Sequence, residues 1–189
     1  MYKLKVISST VRPGRKGPAI AKWITQVAND HGFDAEMIDL GELNLPLMNE
    51  PVHPALKQYE HEYTKQWSAK IAEADAFIFV TTEYNHSYPA SLKNAVEYLV
   101  HEWAYKPAGM VGYSIGPFAG ARAILSLKAD MLALKNIALS EMVNIPQLNQ
   151  FMDEEGNFTA DERLNNNAKT MLDQLVRWTK GMKAIREDK

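Results

Sequence analysis

The sequence contains no cysteine, and this absence removes several kinds of chemistry at once. Without thiols the chain can form no disulfide, no thiolate metal site and no cysteine nucleophile. A chain of 189 residues needs no such cross-link, because a domain of this size buries roughly 70% of its unfolded surface. The lack of cysteine also suits a reducing compartment, so we expect a cytoplasmic protein.

Long apolar runs and a strong charge of either sign are also missing. The formal net charge of −2 argues against nucleic-acid binding and against a basic membrane anchor. The run at residues 1–7 lacks the length and the cleavage site of a signal peptide, and no run reaches the length of a membrane span. We therefore expect neither a nucleic acid nor a membrane as partner.

What the sequence does contain is a regular alternation of strand and helix patterns. Short apolar runs predict five strands, at residues 3–8, 34–40, 76–80, 107–113 and 137–143. Apolar residues at helical spacing predict five helices, at 17–31, 59–74, around 92–99, at 121–134 and after a capping box at 159–162. Such alternation favours a parallel, doubly wound sheet in one domain over residues 1–189, with ligands at the carboxyl ends of the strands.

The segment after the first strand carries positive charge into the start of a helix. It reads SSTVRPGRKGP at residues 8–18 and includes Arg12, Arg15 and Lys16. Cations at a helix N-terminus repel its positive dipole end until an anion binds there. The segment therefore predicts a phosphate-binding loop, with a solvated basic loop as the alternative. It has neither the Walker pattern nor the dinucleotide pattern GxGxxG.

Two further segments follow the third and fourth strands. Residues 81–89 read TTEYNHSYP, a polar and aromatic mixture that suits the edges and face of a flat heteroaromatic ring. The alternative is an ordinary capped turn between strand and helix. Residues 113–122 contain glycines that let the backbone approach a ligand, or that merely form a turn. No second histidine lies at metal-ligand spacing near His86, so we expect no metal. The aromatic segment HEWAY at 101–105 suits the core, a dimer contact or a pocket wall.

These segments together resemble a known family. Residues 9–23 are similar to the phosphate loop of the NADPH-dependent FMN reductases, and residues 83–95, EYNHSYPASLKNA, resemble that family's flavin-ring segment. Residues 101–108 and 151–158 also fit, so the resemblance covers nearly the whole chain. It implies a flavodoxin-like, three-layer α/β fold with a doubly wound sheet of five parallel strands. It also implies FMN as cofactor and NAD(P)H as co-substrate.

The resemblance extends to individual residues. It implies that the FMN phosphate is held by Ser9, Arg12, Arg15, Lys16 and Gly17. It implies that the isoalloxazine ring is lined by Glu83, Tyr84, Asn85, His86 and Ser87, with Ser114 and Gly116 beside it. Tyr84 and His86 are the only candidates for a catalytic side chain, and we expect their replacement to affect flavin binding more than hydride chemistry. The third segment carries Ala119 where the family has a glycine.

The implied reaction is a ping-pong hydride transfer of two electrons from NAD(P)H to a quinone, free flavin or similar small acceptor. The family also implies a homodimer or a dimer of dimers. Three other functions stay open. A flavodoxin-type electron carrier would normally be strongly acidic, without cations near the phosphate. A flavin-based redox-sensing interaction protein would use the same site. A response-regulator receiver would need acidic residues where Ser8, Ser9, Thr81 and Thr82 stand.

Overall fold

The predicted parallel sheet is present in the computed structural model, which describes residues 1–188. Its strands are β1 (Lys3–Ser8), β2 (Asp34–Asp39), β3 (Ala76–Thr82), β4 (Pro107–Tyr113) and β5 (Ile137–Ile145). All neighbouring strands are parallel, in the order β2-β1-β3-β4-β5. This is the flavodoxin order, in which the chain reverses direction across the sheet beside β1.

Helices connect the strands on both faces of the sheet. They are α1 (Gly17–Asp30), α2 (Leu40–Leu43), α3 (Glu62–Ala72), α4 (Ala90–Glu97), α5 (Ala121–Ala133) and α6 (Glu162–Glu187). The short α2 was not predicted; it begins where the Asp39 carboxylate accepts a hydrogen bond from the Gly41 backbone at 2.8 Å. Among the helices of residues 1–188, none combines the length and apolar character that a membrane crossing requires.

Two hydrophobic cores give the protein its three layers. One core joins α1 and α6 to one face of the sheet, and includes Val6, Ile20 and Met171. The other joins α3, α4 and α5 to the opposite face, and includes Phe79 and Ile124. Successive residues of β3 point to opposite faces of the sheet, and the strand is buried because a helix layer covers each face. The predicted three-layer flavodoxin-like fold is confirmed.

Two helix starts differ from the prediction. Helix α3 begins at Glu62 rather than at Tyr59, because the Glu50 carboxylate accepts hydrogen bonds from the backbone of Glu60 and His61 and keeps that segment out of the helix. Helix α6 is not capped by Thr159. Its cap is the Asp161 carboxylate, which accepts from the Leu164 backbone at 2.7 Å.

In the aromatic segment at 101–105, Trp103 belongs to the core, whereas His101 and Tyr105 are exposed. The Trp103 side chain is fully buried and packs against the rings of Trp67, Phe77 and Phe79. Its indole N–H donates to the Val96 carbonyl at 3.2 Å, so its one polar group is satisfied.

Candidate functional site

Three loops meet at the carboxyl edge of the sheet, as the parallel arrangement requires. The first loop (residues 9–16) follows β1, the second loop (83–89) follows β3 and the third loop (114–120) follows β4. The Ser9 hydroxyl donates to Thr81 Oγ1 at 3.2 Å, and the Ser91 hydroxyl donates to the Ser9 carbonyl at 2.5 Å. The first loop is therefore fastened both to β3 and to the helix that follows the second loop.

The N-terminus of α1 is electrostatically open to an anion. The helix begins without a side-chain cap, and its first turn contains no acidic residue. Ser8, Ser9 and Thr10, which lead toward it, are buried polar residues. Because the first backbone N–H groups of a helix lack intrahelical partners and carry partial positive charge, this arrangement suits a phosphate.

Gly17 is the first residue of α1, and the space around it explains why it has no side chain. A Cβ atom there would lie 2.5 Å from Thr10 Oγ1 and 2.8 Å from the Tyr113 hydroxyl. Those two oxygens are themselves 3.3 Å apart and buried. Burial raises the pKa of Tyr113 to about 12, so its hydroxyl stays protonated at neutral pH. Close hydroxyl groups thus fill the space beneath the first loop.

The three cations of the first loop are directed to different places. Arg15 donates to the Asp39 carboxylate at 2.9 Å and lies against Gly41, so its charge is paired at the end of β2. The Lys16 ammonium lies 3.8 Å from the position that a Cβ on Gly156 would occupy. The Arg12 guanidinium lies over the Tyr84 ring, 5.9 Å from its centre. Arg12 is therefore the cation that connects the first loop with the second.

The second loop is a tight turn with left-handed backbone at its tip. The backbones of Tyr84 and Ser87 exchange two hydrogen bonds, at 2.8 and 3.0 Å. Asn85 and His86 between them have φ values of 50° and 69°, as the two central residues of a type I′ turn require. The turn fixes the exposed tip of the predicted ring site.

Arg122, in the first turn of α5, joins the second loop to the third. It was not among the predicted site residues. Its Nε donates to Glu83 Oε1 at 2.6 Å, and an Nη atom donates to His86 Nε2 at 3.0 Å. Its guanidinium also lies 4.8 Å from the centre of the Phe118 ring. Because a guanidinium only donates, His86 Nε2 accepts, and this contact requires a neutral imidazole. A cation in the first turn of a helix is unfavourable unless it is paired with an anion. The position of Arg122 in the sequence could therefore have indicated a partner nearby.

The third loop folds on its own hydroxyl group. The Ser114 hydroxyl donates to the Gly116 carbonyl at 2.9 Å. Ala119 has a φ of 51°, the left-handed conformation that glycine adopts more easily. Ile115 and Phe118 are exposed apolar side chains at the tip. The loop therefore presents an apolar surface beside the polar second loop.

Three buried polar atoms at this edge have no hydrogen-bond partner among residues 1–188: Ser8 Oγ at the end of β1, Arg15 Nε in the first loop and Glu83 Oε2 just after β3. Buried polar groups are normally paired, so such atoms point to a missing polar ligand. The Ser8 hydroxyl lies beside the α1 N-terminus, where an anion fits, and the Glu83 carboxylate suits an N–H group. A ligand that carries both a phosphate and N–H groups meets both needs.

The sheet order and these three loops define a flavodoxin-like protein, a class in which ligands bind where the chain reverses direction across the sheet. The sequence matches the family described as NADPH-dependent FMN reductase over residues 2–150. The chain therefore belongs to that family, as its motifs indicated.

Individual relatives agree with this assignment. The chain is 44% identical over 114 residues to an NAD(P)H-dependent FMN reductase of Schizosaccharomyces pombe, covering 59% of this chain and 57% of the yeast protein. It is 33% identical over 150 residues to an NAD(P)H-dependent FMN reductase of Nectria sp., covering 76% of this chain and 75% of the relative. The structure of the flavoenzyme NAD(P)H:(acceptor) oxidoreductase FerB of Paracoccus denitrificans superposes with a TM-score of 0.77 at 25% identity, covering 96% of this chain and 99% of FerB.

The comparisons confirm the predicted family. They also confirm the enzyme class, which is the oxidoreductases, and the class of cofactor that the family name states. The match to the first of these relatives spans little more than half of that protein's length. The individual contacts of the predicted phosphate and ring residues stay predictions, because they concern a ligand.

Proposed function

We propose that this chain, as one FMN-binding domain over residues 1–189, is an NAD(P)H-dependent oxidoreductase. The observation that carries the proposal is the meeting of an uncapped α1 N-terminus with unpartnered buried polar atoms of Ser8, Arg15 and Glu83 at one edge of the sheet. When bound, FMN supplies ping-pong hydride chemistry, taking two electrons from NAD(P)H and delivering them to a quinone, free flavin or similar small acceptor. The protein's own contribution is binding, orientation and electrostatics.

The first loop and α1 hold the phosphate in this proposal. Ser9 and Gly17 supply a tightly packed backbone, and the helix dipole supplies positive potential. Arg12 adds a positive charge to the first loop, and its guanidinium lies over the Tyr84 ring. Arg15 acts less directly, because its charge is balanced by Asp39. Lys16 lies toward Gly156, farther along the same side.

The second and third loops hold the ring. The I′ turn keeps Asn85 and His86 in fixed positions, so their backbone groups can be aligned before the ring arrives. Ser114 and Gly116 lie on the neighbouring loop, and their mutual hydrogen bond holds that loop in shape. The exposed Phe118 offers an apolar surface where a nicotinamide or an acceptor can dock.

No side chain needs to act as an acid or a base. His86 uses Nε2 to accept from Arg122, so that nitrogen holds no proton to deliver in this arrangement. The Tyr84 ring lies beneath the Arg12 guanidinium. Both residues thus shape the second loop, and we infer that their role is flavin binding.

The visible spectrum of the purified protein with added FMN tests the proposal. Tight binding should shift the flavin bands, and anaerobic NADPH should then bleach them without another protein. Riboflavin is the matched control, because it offers the same ring without the phosphate. Failure to bind FMN would contradict the proposal.

Steady-state kinetics separates this function from a flavodoxin-type carrier. An enzyme should oxidise NADPH or NADH continuously with a quinone or free FMN, and double-reciprocal plots should be parallel, as ping-pong kinetics requires. FMN binding without NAD(P)H oxidation would favour the carrier, or the redox-sensing interaction protein.

We also propose a homodimer or a dimer of dimers. Leu125 and Leu132 lie two turns apart on α5, and their side chains are 64% and 73% exposed. With Ile115 and Phe118 of the third loop, they place exposed apolar surface along α5, which is unusual for a monomer. Light scattering after size-exclusion chromatography should give a multiple of the chain mass, and a monomer at micromolar concentration would contradict the proposal.

A further inference from the structure

Tyr113, the last residue of β4, contacts all three loops of the site or the strand ends that lead to them. Its hydroxyl lies 3.3 Å from Thr10 Oγ1 in the first loop. Its carbonyl accepts from the Thr82 hydroxyl, just before the second loop, at 3.0 Å. A Cβ on Gly120, at the end of the third loop, would lie 3.2 Å from its backbone nitrogen. The Tyr113 backbone thus accepts a hydrogen bond just before the second loop and lies close to Gly120, and its hydroxyl lies beside Thr10 of the first loop.

We propose that Tyr113 is a positioning residue for the cofactor's phosphate, acting through Thr10 on the first loop. This inference rests on the proposed function. The phenol hydroxyl holds Thr10 against the first turn of α1, so that the loop backbone and the helix N-terminus face one point. The ring end of the cofactor is positioned separately, by the turn of the second loop.

The surroundings of the hydroxyl support a specific role. The Tyr113 side chain is almost completely buried, and the Thr10 hydroxyl is the polar side-chain partner it contacts. Gly17 leaves room for both oxygens, and any larger residue there would displace them. The Ser8 hydroxyl lies 3.1 Å from the same Gly17 Cβ position and has no partner among residues 1–188. An unpartnered hydroxyl group therefore lies at the start of α1, beside the oxygens of Thr10 and Tyr113.

The backbone contacts of Tyr113 survive replacement by phenylalanine, because only the hydroxyl is lost. The ends of the second and third loops should then keep their geometry, while the first loop loses a buried hydrogen bond. The predicted signature is a loss of phosphate recognition with ring recognition retained. A general structural defect would weaken both.

The test compares FMN with riboflavin for wild-type protein, Tyr113→Phe, Thr10→Val and the double variant, by titration of flavin fluorescence. Each single variant should lower FMN affinity about tenfold and leave riboflavin affinity nearly unchanged. The double variant should be no weaker than either single variant, because both remove the same contact. Thr10→Ser, which keeps the hydroxyl, should retain wild-type affinity.

Tyr98→Phe is the matched control. It removes another buried tyrosine hydroxyl, which lies 3.1 Å from the Pro46 carbonyl, 3.4 Å from the Leu47 carbonyl and 3.3 Å from Asn49 Oδ1, none of which belongs to the three loops. It should lower the melting temperature without changing the ratio of FMN to riboflavin affinity. An unchanged ratio in both Tyr113→Phe and Thr10→Val would overturn this inference while leaving the proposed function intact. Wild-type protein that binds no FMN would instead overturn the proposed function, and this inference with it.

Discussion

The Arg122 guanidinium and the Glu83 carboxylate form an ion pair between the start of α5 and the start of the second loop. The Glu83 side chain is only 9% exposed, whereas that of Arg122 is 42% exposed. The pair therefore has a buried acid and a half-exposed base. Its two members should not be equally sensitive to substitution.

Arg122→Gln should be the more damaging of the two changes, because it leaves a buried carboxylate without its cation. We expect it to lower the free energy of unfolding by about 1–3 kcal/mol and to weaken FMN binding. Glu83→Gln removes the buried charge and leaves Arg122 to the solvent, so its effect on the free energy of unfolding should be smaller. Urea denaturation measures the loss of stability in each variant, and FMN titration measures the loss of affinity. Equal losses in the free energy of unfolding would contradict the burial of Glu83.

Replacing His86 or Tyr84 should alter flavin binding rather than chemistry. His86→Ala removes the acceptor for Arg122, and Tyr84→Ala removes the ring beneath Arg12. Each should raise the FMN dissociation constant about tenfold, while kcat at saturating FMN changes by less than about twofold. A variant with full FMN occupancy and lost turnover would show that its side chain takes part in the chemistry.

Gly17→Ala should be harmful although alanine is ordinarily the better helix former. The added methyl group would meet Thr10 Oγ1 at 2.5 Å and the Tyr113 hydroxyl at 2.8 Å. We expect a loss of about 1–3 kcal/mol in the free energy of unfolding, together with weaker FMN binding. Gly181→Ala in α6 is the control, since nothing lies within 4 Å of its Cβ position, and it should stabilise by about 0.5–1 kcal/mol. Thermal melting distinguishes the two.

Lys106 should make the free energy of unfolding increase with pH above neutrality. Burial, and then the charge of Arg186, lower its pKa from 10.5 to about 7. Between those values the unfolded chain binds more protons than the folded chain, so this residue makes stability rise with pH from about 7 to 10.5. Lys106→Met should reduce that rise in melting curves at pH 7, 8 and 9. Lys169→Met, at an exposed position, serves as the control. If stability rose with pH as steeply in Lys106→Met as in the wild-type protein, the lowered pKa of Lys106 would be contradicted.

The strands and the site's location could be predicted because both depend on local patterns. An apolar run such as AFIFV at 76–80 has few other places in a folded protein, and the polar loops follow such runs directly. The start of α3 could not be predicted, because the Glu50 carboxylate that prevents helix formation is ten residues away from Glu60. Thr159 is not the cap because its backbone N–H donates to the Phe151 carbonyl at 2.9 Å, next to the bridge between Met152 and Phe158, and a single sequence does not display this pairing.

The contacts of the site depend on pairing across the chain, which one sequence does not display. The cations of the first loop looked equivalent, yet Arg15 is paired with Asp39, 24 positions away. Arg122 finds Glu83 at a separation of 39 positions, and Tyr113 finds Thr10 at 103. Such partners become neighbours only when the strand order brings their loops to one edge.

The two cores on opposite faces of the sheet support different parts of the site. Helix α1, which carries the first loop, packs in the core that contains α6, whereas α4 and α5, which follow the second and third loops, pack in the other. A repacking substitution behind α1 should therefore affect recognition of a ligand's phosphate, and one behind α5 should affect recognition of its ring. A cofactor that spans the three loops would thus rest on both cores, so recognition of its phosphate and recognition of its ring could change independently.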